Sequence, residues 1–330
     1  MPRRRELLVV AMALPLHAHA TEVDIAHRLA DLYPVNASLG YLTALIWSAQ
    51  RRMNEGRLPP RSAQALLTLR QAAPATPPAE WPLRAGYAAF AEAARHDGDA
   101  AAGELALQAI RGAIVDTPDG PRLAGLRPWT DDLFMATLLF VRTLPLLPAA
   151  EHARATEALS SSLLELTERL QRRDGLFDHA VGSPVAWGRG NGFASLGLAM
   201  ALAGPLPAHA QLLSRLCRHM DRLLTLQGEG GLWRQVLDHA PAAPELTATA
   251  MSVGAFAIAR RQGWLTGEEV DAAISQARAG MRDRIDTEGR FREVCAGTPA
   301  GPTLDFYLQR PMLNGHDDRA AAMVLLAALS

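Results

Sequence analysis

The chain has 330 residues, 49% of them hydrophobic and 20% charged, which suits one large globular domain or two ordinary ones. Its formal net charge of -1 supplies no basic field for a phosphate backbone, and no local basic patch stands out. Nucleic acid is therefore set aside as a partner.

At the N-terminus Arg3, Arg4 and Arg5 precede an apolar run from Leu7 to Leu16, and Ala18-His19-Ala20 offers small residues at the spacing a signal peptidase accepts. Residues 1–20 read as a cleavable secretion signal, which leaves 21–330 as a single domain in the periplasm or outside the cell. The apolar run is about ten residues, against the roughly 20 that span a bilayer as a helix, so no membrane anchor is expected. Glu6, beside the basic cluster, keeps open the alternative of a cytoplasmic first helix.

Beyond this point apolar residues recur at helical spacing over approximately 23–32, 36–55, 61–71, 83–96, 100–115, 129–147, 151–172, 191–203, 208–228, 247–263, 267–285 and 317–329. Asn36 is placed to cap the second segment and Gly56 to end it; Asp97-Gly98-Asp99 and Pro205-Leu206-Pro207 break two further pairs. No run alternates convincingly at period two, and β-branched residues are sparse, so the fold is expected to be all-α. About a dozen helices with alternating shorter and longer connections suit an (α/α)6 double barrel of six inner and six outer helices, although spacing alone does not separate this from an open helical solenoid. Gly, Pro, Trp and His gather after Gly175, Gly228, Ile285 and Thr298, which places the site at one end of the barrel. The two cysteines, Cys217 and Cys295, form no CxxC and lie near no His at metal-ligand spacing, so no structural zinc is expected. A buried free thiol is the expectation for Cys217, with a single disulfide left open.

Three segments carry chemistry. The first, from Asp174 to Phe193, reads as a non-helical stretch with glycines at 175, 182, 188, 190 and 192 around His179, Trp187 and Arg189. Trp187 and Phe193 offer rings to a sugar, and Arg189 has the planar fork that grips a carboxylate in two places, so a sugar acid is the first ligand to consider. Gly-rich segments also end helices, and an Arg also pairs with local acids. The second and third segments are Pro128 to Met135, holding Asp131 and Asp132, and Gly230 to Asp238, holding Trp233 and Gln235.

Taken in order with Glu245-Leu246-Thr247-Ala248-Thr249-Ala250-Met251 and the closing run from Tyr307 to Leu326, these segments resemble glycoside hydrolase families 88 and 105, the unsaturated uronyl hydrolases. The likeness runs from about residue 80 to the end. It implies an (α/α)6 barrel that adds water across the C4=C5 double bond of a terminal Δ4,5-unsaturated uronate on lyase-generated, pectin-like or glycosaminoglycan-like oligosaccharides. The hydrated ring then opens and releases the next sugar, with no metal and no organic cofactor. Such a reaction needs one group that protonates a vinyl carbon and takes a proton from water.

The resemblance places that acid/base on Asp131, in Asp-Asp-Leu-Phe-Met, with Asp132 at a variable position; one of the two alternatively caps the helix. Adjacent carboxylates are expected to repel and raise one pKa, which suits a proton-holding group. His179 matches a family histidine that contacts the uronate, and Arg189 matches the Arg of W-[GA]-R-G-x-[GA]-W, where the final Trp is here Phe193. Trp187, Trp233, Gln235 and His316 follow as substrate contacts, with core packing as the alternative for the tryptophans. Arg310 serves either the site or the C-terminal fold. Two departures stand out: no Asp matches the family's second one before the helix near Leu83, where Glu80 is the nearest carboxylate, and the connection from His179 to Trp187 is short. A sugar-binding relative without turnover therefore stays open. So does a polysaccharide lyase, although its usual Tyr or His base is hard to supply when Tyr33, Tyr41, Tyr87 and Tyr307 all lie outside the central motifs.

Overall fold

A computed structural model describes residues 22–330, and the expected secretion signal lies outside them. The helices are α1 (Glu22–Leu32), α2 (Tyr41–Met53), α3 (Pro60–Ala72), α4 (Trp81–Arg84), α5 (Ala88–Asp97), α6 (Ala100–Arg111), α7 (Thr130–Thr143), α8 (Ala149–Leu170), α9 (Gly188–Leu202), α10 (His209–Leu224), α11 (Leu246–Arg261), α12 (Glu268–Arg282), α13 (Leu304–Leu308) and α14 (Asp318–Ala328). In space α2, α5, α7, α9, α11 and α14 follow one another side by side, and α14 returns against α2. That contact closes an inner ring and rules out the open solenoid. Helices α1, α3, α6, α8, α10 and α12 stand outside it, each against one or two inner helices.

The ring follows from composition. Inner helix α11 is buried at every position from Leu246 to Ala257 and is apolar or small on all sides; α9 is buried from Gly188 to Ala199, with Arg189 and Asn191 as the large polar residues of its first turns. Outer helix α10 buries Leu212, Leu216, Met220 and Leu223 along one stripe and turns its arginines outward, the pattern of a helix with one wet face. Among the described residues no helix is long and apolar enough to cross a membrane.

Several expectations need correcting. Two short antiparallel hairpins accompany the helices: β1 (Ile114–Thr117) with β2 (Gly120–Leu123), and β3 (Phe291–Cys295) with β4 (Met312–Gly315). Four or five residues give too few alternations to register as a period, and the helix expected over 100–115 instead stops at Arg111 and leads into β1. Asn36 caps nothing, since α2 begins only after Gly40. The segment from Asp174 to Phe193 is not irregular throughout: α9 starts at Gly188, so three of its glycines are helical. Their role is close approach, because a Cβ at Gly188 would be driven into the Arg234 carbonyl oxygen and one at Gly190 would lie 2.7 Å from Thr130 Oγ1. Both cysteines are free, Cys295 buried in β3 and Cys217 half-buried on α10.

Candidate active site

One end of the barrel gathers the N-termini of the inner helices, and hydrogen bonds tie their approach segments together. The Thr130 N–H donates to His179 O at 3.0 Å, the Gly188 N–H to Gln235 O at 2.6 Å, and the Cys295 N–H to Glu245 Oε1 at 3.0 Å. The Val35 N–H reaches Asp318 Oδ1 at 2.8 Å. Segments scattered over the chain are thereby fixed around one mouth.

Asp131 and Asp132 lie in the first turn of α7 and point to different tasks. Asp132 is fully buried and accepts from the Arg127 guanidinium, at 2.5 Å to Oδ1, and from the Arg127 N–H at 2.8 Å. It holds the turn that enters the helix. Burial pushes its carboxyl up, against the pull of the Arg127 hydrogen bonds, and the charge of Asp131 is the smallest contributor. The raised carboxyl therefore belongs to the structural aspartate, and desolvation rather than repulsion is its main cause. Asp131 remains partly open, with 19% of its side chain exposed, and its Oδ2 lies 3.1 Å from His179 Nε2.

His179 is itself buried, and its other nitrogen, Nδ1, lies 2.6 Å from the Tyr307 hydroxyl. The Tyr307 oxygen accepts from the Gly301 N–H at 3.1 Å. Its single proton is then directed to Nδ1, which leaves the Nε2–H to donate to Asp131. Burial pushes the Tyr307 phenol up, so this donor stays protonated at neutral pH. A relay of fixed polarity, Tyr307 to His179 to Asp131, thus ends on the partly open one of the two adjacent carboxylates.

Around it stand rings. Trp187 lies 4.4 Å from His179 by centroid, and its buried indole N–H has no partner in the protein among the described residues. Trp129, half-buried, meets His179 edge-on at 5.4 Å and carries the Arg127 guanidinium on its face at 4.2 Å. Phe193 is buried on Phe134 and on Tyr41, so it supports the floor and offers no open face.

Other expected contacts fall elsewhere. Trp233 belongs to the core, stacked on Phe256 at 5.8 Å with its N–H given to Leu223 O at 2.8 Å. Gln235 is buried and donates to Tyr307 O, so it braces the relay from behind. Arg189 is 2% exposed, lies over Trp187 at 4.7 Å, and donates to Cys295 O at 2.7 Å and Ala296 O at 2.6 Å. Glu245, which caps α11 through the Thr247 and Ala248 N–H groups, approaches it at 3.9 Å. Arg189 therefore pins the end of β3. His316 is exposed beside Tyr33, whose hydroxyl it meets at 2.9 Å, and Arg310 donates to Gly297 O. Glu80 is exposed just before α4.

Three aromatic residues not among the expected contacts stand at the site. Trp129 lies within the Pro128–Met135 segment, where its type and place mark it; the two tyrosines lie outside the central motifs, yet Tyr307 joins the relay, and Tyr41 opens α2 against Phe193 and Phe134.

The sequence matches the family model described as Glycosyl Hydrolase Family 88 over residues 127–330. A 24.9 kDa protein in the picA locus of Rhizobium radiobacter is 33% identical over 168 residues, 44% of this chain and 71% of that protein. The unsaturated rhamnogalacturonyl hydrolase YesR of Bacillus subtilis is 30% identical over 134 residues, 39% of this chain and 36% of YesR. Among solved structures, a possible member of the GH105 family from Salmonella enterica superposes with a TM-score of 0.79 at 18% identity, covering 96% of this chain and 95% of that one. At that identity the superposition establishes the shared double-barrel fold.

Proposed function

Because the chain belongs to Glycosyl Hydrolase Family 88, we propose that it hydrolyses lyase-generated oligosaccharides by hydrating the C4=C5 double bond of a terminal Δ4,5-unsaturated uronate, with Asp131 as the acid/base. The observation that carries this reading is the relay ending on Asp131. Its Oδ2 is held by the His179 Nε2–H, which leaves Oδ1 to face the reacting carbon. In its protonated form Asp131 delivers a proton to C4, and the positive charge that develops at C5 is shared with the ring oxygen. Water adds at C5 and returns a proton to the Asp131 carboxylate, so the group ends as it began. The C5 hemiketal then opens and frees the next sugar. Trp129, half-buried beside His179, is the ring that would flank the sugar, while the buried Trp187 packs behind His179.

A second reading, elimination by a lyase, draws support from the two tyrosines at the site. Ultraviolet absorbance separates the two, since hydration removes the conjugated double bond and elimination creates it. With unsaturated disaccharides of the pectin and glycosaminoglycan types, absorbance should fall with the wild-type protein and hold with Asp131→Asn. General acid–base work contributes about 10²–10⁴-fold, so the variant should lose turnover on that scale while still binding. Near-normal turnover by Asp131→Asn would remove Asp131 from the chemistry. A gain in absorbance on intact uronate polymers would establish the lyase instead. Binding without any change by the wild type would mark a sugar-binding relative.

A further inference from the structure

We propose that Arg319, and not Arg189, recognises the carboxylate of the sugar acid, an assignment that rests on the uronide reading above. Both guanidinium groups meet at the same carbonyl. Arg189 Nη1 donates to Cys295 O at 2.7 Å, whereas Arg319 Nη1 lies 3.4 Å from that oxygen. Arg189 is used up: its donors go to Cys295 O, Ala296 O and Thr247 Oγ1, its face is covered by Trp187, and only 2% of its side chain is exposed. Turning it toward a ligand would break two short charge-assisted hydrogen bonds, leaving Cys295 O with only the 3.4 Å contact to Arg319 and Ala296 O with the Thr298 hydroxyl at 2.8 Å.

Arg319 has no comparable commitment. Apart from the long contact to Cys295 O, it pairs with Asp317 Oδ2 at 3.7 Å, beyond hydrogen-bond reach, and Asp317 already caps α14 through the Ala320 N–H at 2.8 Å. Its side chain is 23% exposed. Arg319 is also the second residue of α14, where the helix dipole disfavours a cation and favours a bound anion. Arg319 reaches the same mouth, because the Cys295 carbonyl it approaches also holds Arg189, which lies on Trp187 beside His179. A carboxylate held in the fork of Arg319 gains a bidentate, charge-assisted pair without dismantling the frame that Arg189 supports.

The test is steady-state kinetics on a pectin-type unsaturated disaccharide with its terminal uronate as the free acid and as the methyl ester. Arg319→Gln should raise KM for the acid by about 10- to 100-fold, the effect of losing a charge-assisted pair, with kcat within a few-fold and KM for the ester nearly unchanged. Arg319→Lys, which keeps the charge and loses the fork, should fall between, and it stands in should the Gln variant fail to fold. Discrimination between acid and ester that survives in Arg319→Gln would overturn the proposal, as would an equal loss on both substrates. A wild-type protein that turns over neither sugar refutes hydration alone. Calorimetric binding of acid and ester to wild type and variant then makes the same comparison and decides on Arg319 separately.

Discussion

His219 makes the stability of this barrel sensitive to acid. It sits on α10 with no exposed surface, its Nδ1–H donating to Gly175 O at 3.0 Å and its Nε2 facing Ser195 Oγ at 2.8 Å. Its ring meets Phe177 edge-on at 4.9 Å. Burial, outweighing the hydrogen bonds, lowers its pKa from an ordinary 6.5 to about 4. In the unfolded chain the imidazole takes up a proton near pH 6.5, whereas the folded protein resists it until about pH 4. The unfolded state therefore binds more protons in this window, and stability is complete above pH 6.5 and declines as the pH falls toward 4. At about 1.4 kcal/mol per pH unit the decline reaches about 3 kcal/mol. His219→Asn keeps a donor for Gly175 O but does not titrate, and the cavity it leaves lowers stability by an amount that does not vary with pH. Urea unfolding followed by tryptophan fluorescence at steps from pH 7 to 4 should show the wild-type protein losing about 3 kcal/mol more than the variant. Equal slopes would assign the acid lability to the carboxylates and refute the argument.

Two further outcomes follow from the same geometry. Arg127→Met should destabilise the protein by about 2–4 kcal/mol at neutral pH, because the buried Asp132 carboxylate keeps only the backbone N–H as partner; since burial already raises that carboxyl, its protonation should shrink the loss in mildly acid solution, and a loss independent of pH would exclude this cause. Tyr307→Phe removes the proton that orients His179 and leaves the Gly301 N–H without its acceptor, so kcat should fall by about tenfold or more with KM little changed, the signature of misplaced chemistry; an unchanged kcat would show that the relay is not needed.

Much of the architecture was readable from local pattern. A helix that is apolar on all sides belongs inside and one with a single stripe belongs outside, and both signals lie within a few turns of chain, as α11 and α10 show. The site segments were equally visible, because a Gly-X-Gly run beside Trp and Arg is unusual wherever it stands. What periodicity does not contain is the partner of each side chain. Two neighbouring aspartates look alike in sequence, yet one is sealed against Arg127 and the other opens toward His179, since successive residues of a helix point about 100° apart and only the packed neighbours decide which direction is buried. Tyr307 reaches His179 across 128 positions, and Arg189 spends its donors on carbonyls 106 and 107 residues away. Those meetings depend on ring closure, which brings α14 and the β3 end back to the start of α2 and α9. The sequence by itself determined a set of inner and outer helices with an acidic, aromatic cluster; only the tertiary structure decided that the ring closes and which of the two aspartates stays open at its mouth, because both depend on contacts between segments that no local spacing encodes.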